Sequence, residues 1–309
     1  SPVRIIGKSS QITELIRKVE KVADTPVNIL ITGETGTGKE LIAKTVHYNS
    51  SRSDKPFVAL NCSAIPETIF ESEMFGIEKG VATGVMMRIG KIEQANGGTL
   101  FFDEIGDMPL SSQAKILRVI EDRLIDKVGG RKPMPVDIRI VAATNTDLRE
   151  AVRKGTFRED LFYRLNVIHL QVPPLRERKG DIVVLAKFFL DQAVRKLGCR
   201  PLKLSAEAMR LLEQYGWPGN IRELENEMER AVALATEETI TAADLSESLR
   251  GELGDADLDE IPSMKDAERR LIENTLKAVK GNKSEVARLL GMSREGLRKK
   301  MVRYGLDGQ

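Results

Sequence analysis

Only two cysteines, Cys62 and Cys199, occur in the 309 residues of this chain. Two isolated thiols make no disulfide framework and favour a reducing cytoplasm. No apolar run approaches the roughly 20 residues that a membrane-spanning helix needs, and no secretory leader pattern opens the sequence. The two histidines, His47 and His169, fall on separate predicted elements and form no metal-ligand spacing. Aromatic residues are scarce at 5%. Neither sign of charge dominates: 48 Lys and Arg stand against 46 Asp and Glu, a formal net of +2. Bulk charge therefore demands no nucleic acid, and any such role must rest on a local excess. Internal repeats are absent. The length suits two or three domains. The chain opens on Ser1 and Pro2 rather than Met, which reads as a fragment lacking an upstream domain.

What is present starts with Gly33, Glu34, Thr35, Gly36, Thr37, Gly38 and Lys39. An apolar run at 27–31 precedes them and a helical pattern at 40–44 follows. A strand, a glycine-rich turn and a helix start are the setting of a phosphate-binding P-loop. The glycines let backbone N–H groups turn inward around a phosphate, and Lys39 is placed to reach β- and γ-phosphates. Glu40 stands where a Ser or Thr usually offers its hydroxyl to Mg2+. Metal binding must then lean on another carboxylate and on water.

Residues 97–104 read as a turn, a short buried strand and two acids, Asp103 and Glu104. Charges at the end of a buried strand cost free energy unless paired or metal-bound. Asp103 is placed to hold Mg2+, and Glu104 to polarise the water that attacks a γ-phosphate. A third apolar strand, at 136–143, ends in Thr144 and Asn145. The Asn145 amide is suited to donate to the γ-phosphate or to orient the water. Together these segments predict a soluble, multi-domain ATPase.

Residues 1–172 alternate strand runs (28–31, 57–60, 99–102, 138–143 and 167–170) with helical patterns, which predicts an α/β fold with a parallel sheet. Pro173 and Pro174 break the pattern. Residues 173–250 read as helices only, with starts at Gly180 and Asp181, at Ser205 and at Asn220. Residues 251–262 carry acids and no bases at their start and read as a mobile linker. Residues 263–309 are helical and basic.

Nearly the whole chain resembles the bacterial enhancer-binding proteins, the AAA+ activators of sigma-54 RNA polymerase. The resemblance rests on GETGTGKE at 33–40, where a Glu after the lysine is usual in that family. It extends through NCSAIP at 61–66, EMFG at 73–76, and the segments 97–109, 141–145, 157–165, 173–178 and 217–224. It implies a AAA+ P-loop ATPase with an α/β subdomain, a helical lid and ring assembly, normally hexameric. It also implies that Arg158 and Arg164 act in trans on a neighbour's ATP, that Arg222 of the lid touches nucleotide, and that Asn61 restrains the catalytic glutamate until the partner is engaged.

Family members typically carry GAFTGA on the loop that contacts sigma-54. This chain has Gly80, Val81, Ala82, Thr83, Gly84 and Val85. The glycines and Thr83 allow the same tight loop, but Ala82 removes the large apolar anchor. Met86 and Met87, just downstream, read either as adaptable apolar contacts in its place or as helix core, the latter preferred.

The C-terminus carries a second pattern. Asn282 to Glu285 resembles a helix cap, a helix ends at Gly291, and Ser293 caps another that stops at Gly305. This is a helix-turn-helix signature. From Lys283 to Tyr304 seven Lys or Arg outweigh two Glu, a net of +5. Arg294, Glu295, Arg298 and Lys299 would face the major groove. The pattern resembles the Fis-type domain, which pairs as a dimer on a palindromic upstream site. The expected function is an ATP-hydrolysing, DNA-binding activator of sigma-54 RNA polymerase. The alternative is a DNA-binding regulator that acts without sigma-54 and uses ATP to set its oligomeric state.

Overall fold

The computed structural model describes residues 5–78, 87–130, 132–251, 272, 275, 283–290, 292 and 294–304. The loop at 80–85, Ser293 and nearly all of the expected linker lie outside them. The chain divides into two compact units, which meet in sequence at Arg250 and Gly251.

Five apolar runs form one parallel sheet. They are β1 (Ile29–Thr32), β2 (Phe57–Asn61), β3 (Thr99–Asp103), β4 (Arg139–Thr144) and β5 (Ile168–Gln171), in the order β2-β3-β4-β1-β5. Central strands of a parallel sheet are covered on both faces, and all six residues of β4 are buried. The pleat divides the side chains between two cores. Leu30, Leu100, Phe102, Ile140 and Ala142 enter one, with Ile116 of α3 (Leu110–Asp122) and Leu161 of α4 (Glu159–Leu165). Ile29, Ile31, Phe101, Val141 and Ala143 enter the other, with Val19 of α1 (Ser10–Val22) and Ile42 of α2 (Lys39–Tyr48).

Gly76–Ile77 and Arg88–Ile89 pair antiparallel, so the chain leaves and rejoins the described structure side by side around 79–86. Met87, read from sequence as helix core, is instead 54% exposed and irregular. Its apolar side chain fits a helix pattern only on paper, because the next two residues are drawn into this strand pair.

The lid is formed by α5 (Lys179–Leu197), α6 (Ala206–Gln214) and α7 (Asn220–Leu234). Ser205 caps α6, its hydroxyl accepting from Ala208 N at 3.1 Å. The expectation of helices only is corrected by a parallel pair, Lys203–Leu204 with Thr239–Ile240. Two-residue strands leave no periodicity in a sequence. Trp217, the one tryptophan of the chain, is fully buried in the lid core and donates its indole N–H to Leu212 O at 2.8 Å. The lid also holds the segment just before α1. Asp181, fully buried, accepts from the Lys8 amide at 2.5 Å, the Ser9 amide at 2.9 Å and the Ser9 hydroxyl at 2.7 Å.

In the C-terminal unit, α8 (Lys283–Leu289) and α9 (Arg294–Tyr304) pack through Val286, Ala287, Leu297 and Met301, with Ile272 beside them.

Trp217→Ala removes a large buried ring and a hydrogen bond from the lid core. It should destabilise the protein by about 3–5 kcal/mol, read by denaturant unfolding followed by far-UV circular dichroism. Unchanged stability would show that Trp217 is not part of the lid's core packing.

Candidate functional site

Parallel strands end on the same side of their sheet, and ligands of open α/β sheets bind at that carboxyl edge. The register here sets Asn61 opposite Asp103 and Thr32 opposite Thr144. Gly33, Asn61, Asp103, Glu104 and Asn145 are thereby gathered from four strands. A cavity of about 530 Å³ opens at this edge. Thr35, Gly36, Gly38, Lys39 and Glu40 line it from the loop and α2. Asn61, Asp103, Glu104 and Asn145 line it from the strand ends, and Arg222 lines it from the lid. Gly33, Glu34 and Thr37 belong to the same loop but do not line it; the Thr37 hydroxyl donates to Glu34 O at 2.8 Å.

The loop turns on Gly36 and Gly38, with φ of +77° and +97°. Gly36 is required for a second reason: a Cβ there would lie 2.2 Å from Gly219 O of the lid. The loop delivers the chain into α2, whose first amides have no side-chain cap. Such amides, with the helix dipole behind them, favour an anion.

Lys39 is buried, yet its charge is not idle. Its ammonium lies 3.1 Å from Glu104 Oε1 and donates to Gly33 O at 3.0 Å. Glu104 adopts a left-handed backbone, φ +51°, and its second oxygen accepts from the Asn145 amide at 2.9 Å. The Asn145 side chain donates to Thr35 Oγ1 at 2.9 Å, which joins the third strand end to the loop. Burial, and then the Glu104 carboxylate beside it, raise Asp103 above the usual carboxylate range. A cation brought to this carboxylate relieves both costs. Among the described residues no group of three or more His, Cys, Asp or Glu is set to hold a metal.

Asn61 lines the cavity, and its side-chain oxygen is engaged locally. Its carbonyl oxygen accepts from the Ser63 amide at 3.0 Å and the Ser63 hydroxyl at 2.7 Å, capping the short turn Cys62–Ala64. Glu104 is held by Lys39 and the Asn145 amide. An Asn at a strand end serves a local turn readily. Arg158 and Arg164 do not line the cavity of their own chain. Arg158 precedes α4 and grips Asp160 with two bonds of 3.0 and 2.7 Å. Arg164, in its last turn, reaches Glu121 at 2.9 Å.

Sequence reasoning missed Arg176 and Asn220. Arg176 pairs with Glu34 through both guanidinium ends, at 2.7 and 2.5 Å, and this bond chiefly lowers the Glu34 carboxyl below its ordinary range. Asn220 is fully buried between lid and loop. Both residues sit within the quoted segments 173–178 and 217–224, but neither fits a periodic or motif rule that would reveal its partner.

On α9 of the C-terminal unit, Arg294, Glu295 and Arg298 are exposed, while Leu297 and Met301 are buried. Lys299 falls on the same helix.

Residues 5–171 match the sigma-54 interaction domain, residues 176–260 a AAA+ ATPase lid domain, and residues 263–304 the Fis family of bacterial regulatory proteins. The chain is 45% identical to the regulatory protein AtoC of Escherichia coli, over 98% of its own length and 68% of that relative. It is 46% identical to the nitrogen fixation protein AnfA of Azotobacter vinelandii, over 99% of its own length and 58% of that relative. Among solved structures, NtrX from Brucella abortus in complex with ATP matches at a TM-score of 0.74 and 37% identity, covering 98% of this chain and 69% of that one. RuvB of Thermotoga maritima, at 16% identity and a TM-score of 0.52, shares the fold. No helix among the described residues is long and apolar enough to cross a membrane. The three domain matches follow one another in the order that one group of regulators displays, and the chain belongs to that group: the sigma-54-dependent AAA+ transcriptional activators of bacteria.

Proposed function

We propose that the chain is a Mg2+-dependent ATPase of the cytoplasm that works as a homo-oligomeric ring. It remodels promoter-bound sigma-54 RNA polymerase from a DNA site held by its C-terminal unit. The observation that carries this reading is the meeting of Lys39, Asp103, Glu104, Asn145 and Arg222 around one cavity. The ATP complex of the related NtrX supports the choice of nucleotide.

The residues suggest their own division of labour. Phosphates would sit on the open amides at the start of α2. A γ-phosphate beside Lys39 offers the ammonium a stronger partner than Glu104, so binding substrate frees the carboxylate. Glu104 then accepts a proton from the attacking water, as a general base held in place by the Asn145 amide. Asn145 itself can turn its side-chain amide from Thr35 to phosphate. Mg2+, held by Asp103 with water replacing the hydroxyl that Glu40 lacks, would neutralise charge on the phosphate oxygens. Arg222 closes the site from the lid.

Arg158 and Arg164 stand on an exposed surface and away from their own cavity, which supports a role in a neighbour's site. Each must leave an intrachain carboxylate to do so; such exposed pairs are weak and screened by solvent, so they hold the arginines loosely. A palindromic DNA site would suit a paired helix-turn-helix, with Arg294, Glu295, Arg298 and Lys299 toward the bases, Ser293 at the helix start, and affinity falling steeply with salt. Ala82 favours a second reading, a regulator of the same family that acts without sigma-54 and uses ATP to control oligomerisation.

Glu104→Gln keeps shape and loses the base. ATP binding should persist while turnover falls by about two orders of magnitude or more, measured by phosphate release. Turnover like that of the wild type would remove Glu104 from the chemistry. Arg164→Ala and Lys39→Ala should each be inactive alone and recover part of the activity when mixed, because one complete interface forms between them. No recovery on mixing argues against action in trans. Ala82→Phe restores the large apolar side chain that the family carries and replaces none of the residues that line the cavity. It should increase sigma-54 binding in a transition-state nucleotide complex without changing basal ATPase. Strong open-complex formation by the unmodified chain, with no gain from the substitution, would show that Val81, Val85 and their neighbours already suffice.

A further inference from the structure

The lid touches the P-loop through backbone as well as side chains. The amides of Ile221 and Arg222, at the start of α7, donate to Gly36 O at 3.0 and 3.3 Å. Early amides of a helix have no partner inside it; here a P-loop carbonyl supplies one. Asn220, immediately before them, has a left-handed backbone, φ +56°, and no exposed surface. Its side chain uses both ends. The amide nitrogen donates to Thr35 O at 3.0 Å and Glu34 Oε2 at 3.1 Å. The oxygen accepts from the Leu175 amide at 2.8 Å. Two successive P-loop carbonyls, of Thr35 and Gly36, are thus held by the lid, and Arg176 grips Glu34 from the segment that Leu175 begins.

We propose that Asn220 is a positioning residue for the nucleotide site, locking the start of α7 onto the P-loop so that loop and Arg222 meet the phosphates as one preset body. The inference rests on the reading of this cavity as an ATP site. A planar trans peptide points its N–H opposite its C=O. Holding the Thr35 carbonyl therefore fixes where the Gly36 N–H points, and Gly36 lines the cavity. Arg222 lies two residues beyond Asn220 on the same helix, so the one anchor sets both walls. A side chain that merely filled space would not need a left-handed backbone or partners from two other segments of the fold to satisfy it. The close approach at Gly36 belongs to the same arrangement: no side chain fits between loop and lid.

Asn220→Asp keeps the size of the residue and its acceptor for Leu175. It replaces the donating nitrogen by an oxygen that faces Glu34 and Thr35. Affinity for a fluorescent ATP analogue should fall about tenfold or more, with kcat at saturating ATP within about threefold of wild type. That pattern is the reverse of the one expected for Glu104→Gln. Adding Glu34→Gln gives the loop a donor for the new carboxylate and should recover a substantial part of the affinity. Wild-type affinity in Asn220→Asp would overturn the lock, and so would a loss that Glu34→Gln leaves untouched while thermal melting stays normal. Should Asn220→Asp fail to fold, hydrogen exchange in the unmodified chain decides. A preset lock makes the Ile221 and Arg222 amides slow to exchange before nucleotide is added and little changed after it. Protection that arises only with ATP would overturn the proposal. An unmodified chain that binds no ATP analogue would instead refute the ATP reading, and the same exchange measurement would still show whether the lock exists.

Discussion

Everything at the cavity depends on the parallel ladder that places β1 between β4 and β5. Parallel pairing makes all strand ends equivalent in direction, so residues that follow different strands arrive on one edge. Its register puts Thr32 beside Thr144, and hence the start of the P-loop beside Asn145. The same ladder sets Asn61 beside Asp103. Slipping one strand by a single residue would send its core side chains to the wrong face. The two cores thus hold the geometry of the polar site through residues that never touch it.

The polar groups at the edge are mutually compensated. Lys39 is buried against Glu104 and two loop carbonyls, and Glu104 is shared between Lys39 and a backbone amide. Asp103 is less well served, which is why burial and its neighbour raise it. Negative charge at Asp103 and positive charge at Lys39 and Arg222 thus face one space from different sides. An anion with an attached cation fits that division better than either ion alone.

The fold of the α/β body and much of the cavity were legible in the sequence because their signals are local. A strand run, a glycine turn and a helix start lie within about 20 residues, and β2, β3 and β4 end at or just before the polar residues Asn61, Asp103 and Asn145 that line the site. What was illegible depends on distant partners. Asn220 meets Glu34 across 186 positions and Arg164 meets Glu121 across 43. No periodicity reports such pairings. Asn61 ends its strand as its sequence position suggests, but its bond to Ser63 turns on angles that sequence does not contain. The strand pair at Lys203–Leu204 is too short to shift a hydrophobic pattern, and the apolarity of Met87 alone does not tell a core residue from an exposed one.

Asp181 gives the first unit a closed construction. A buried carboxylate at the start of the lid is satisfied chiefly by the two amides and the hydroxyl that precede α1. Separated from those residues, it would be a buried charge short of partners, at a cost of several kcal/mol. The chain therefore runs from the lid's doorstep through the whole sheet and back to the lid. The change from strands to helices near Pro173 marks a change of architecture inside one compact unit, which the segment before α1 ties together through Asp181.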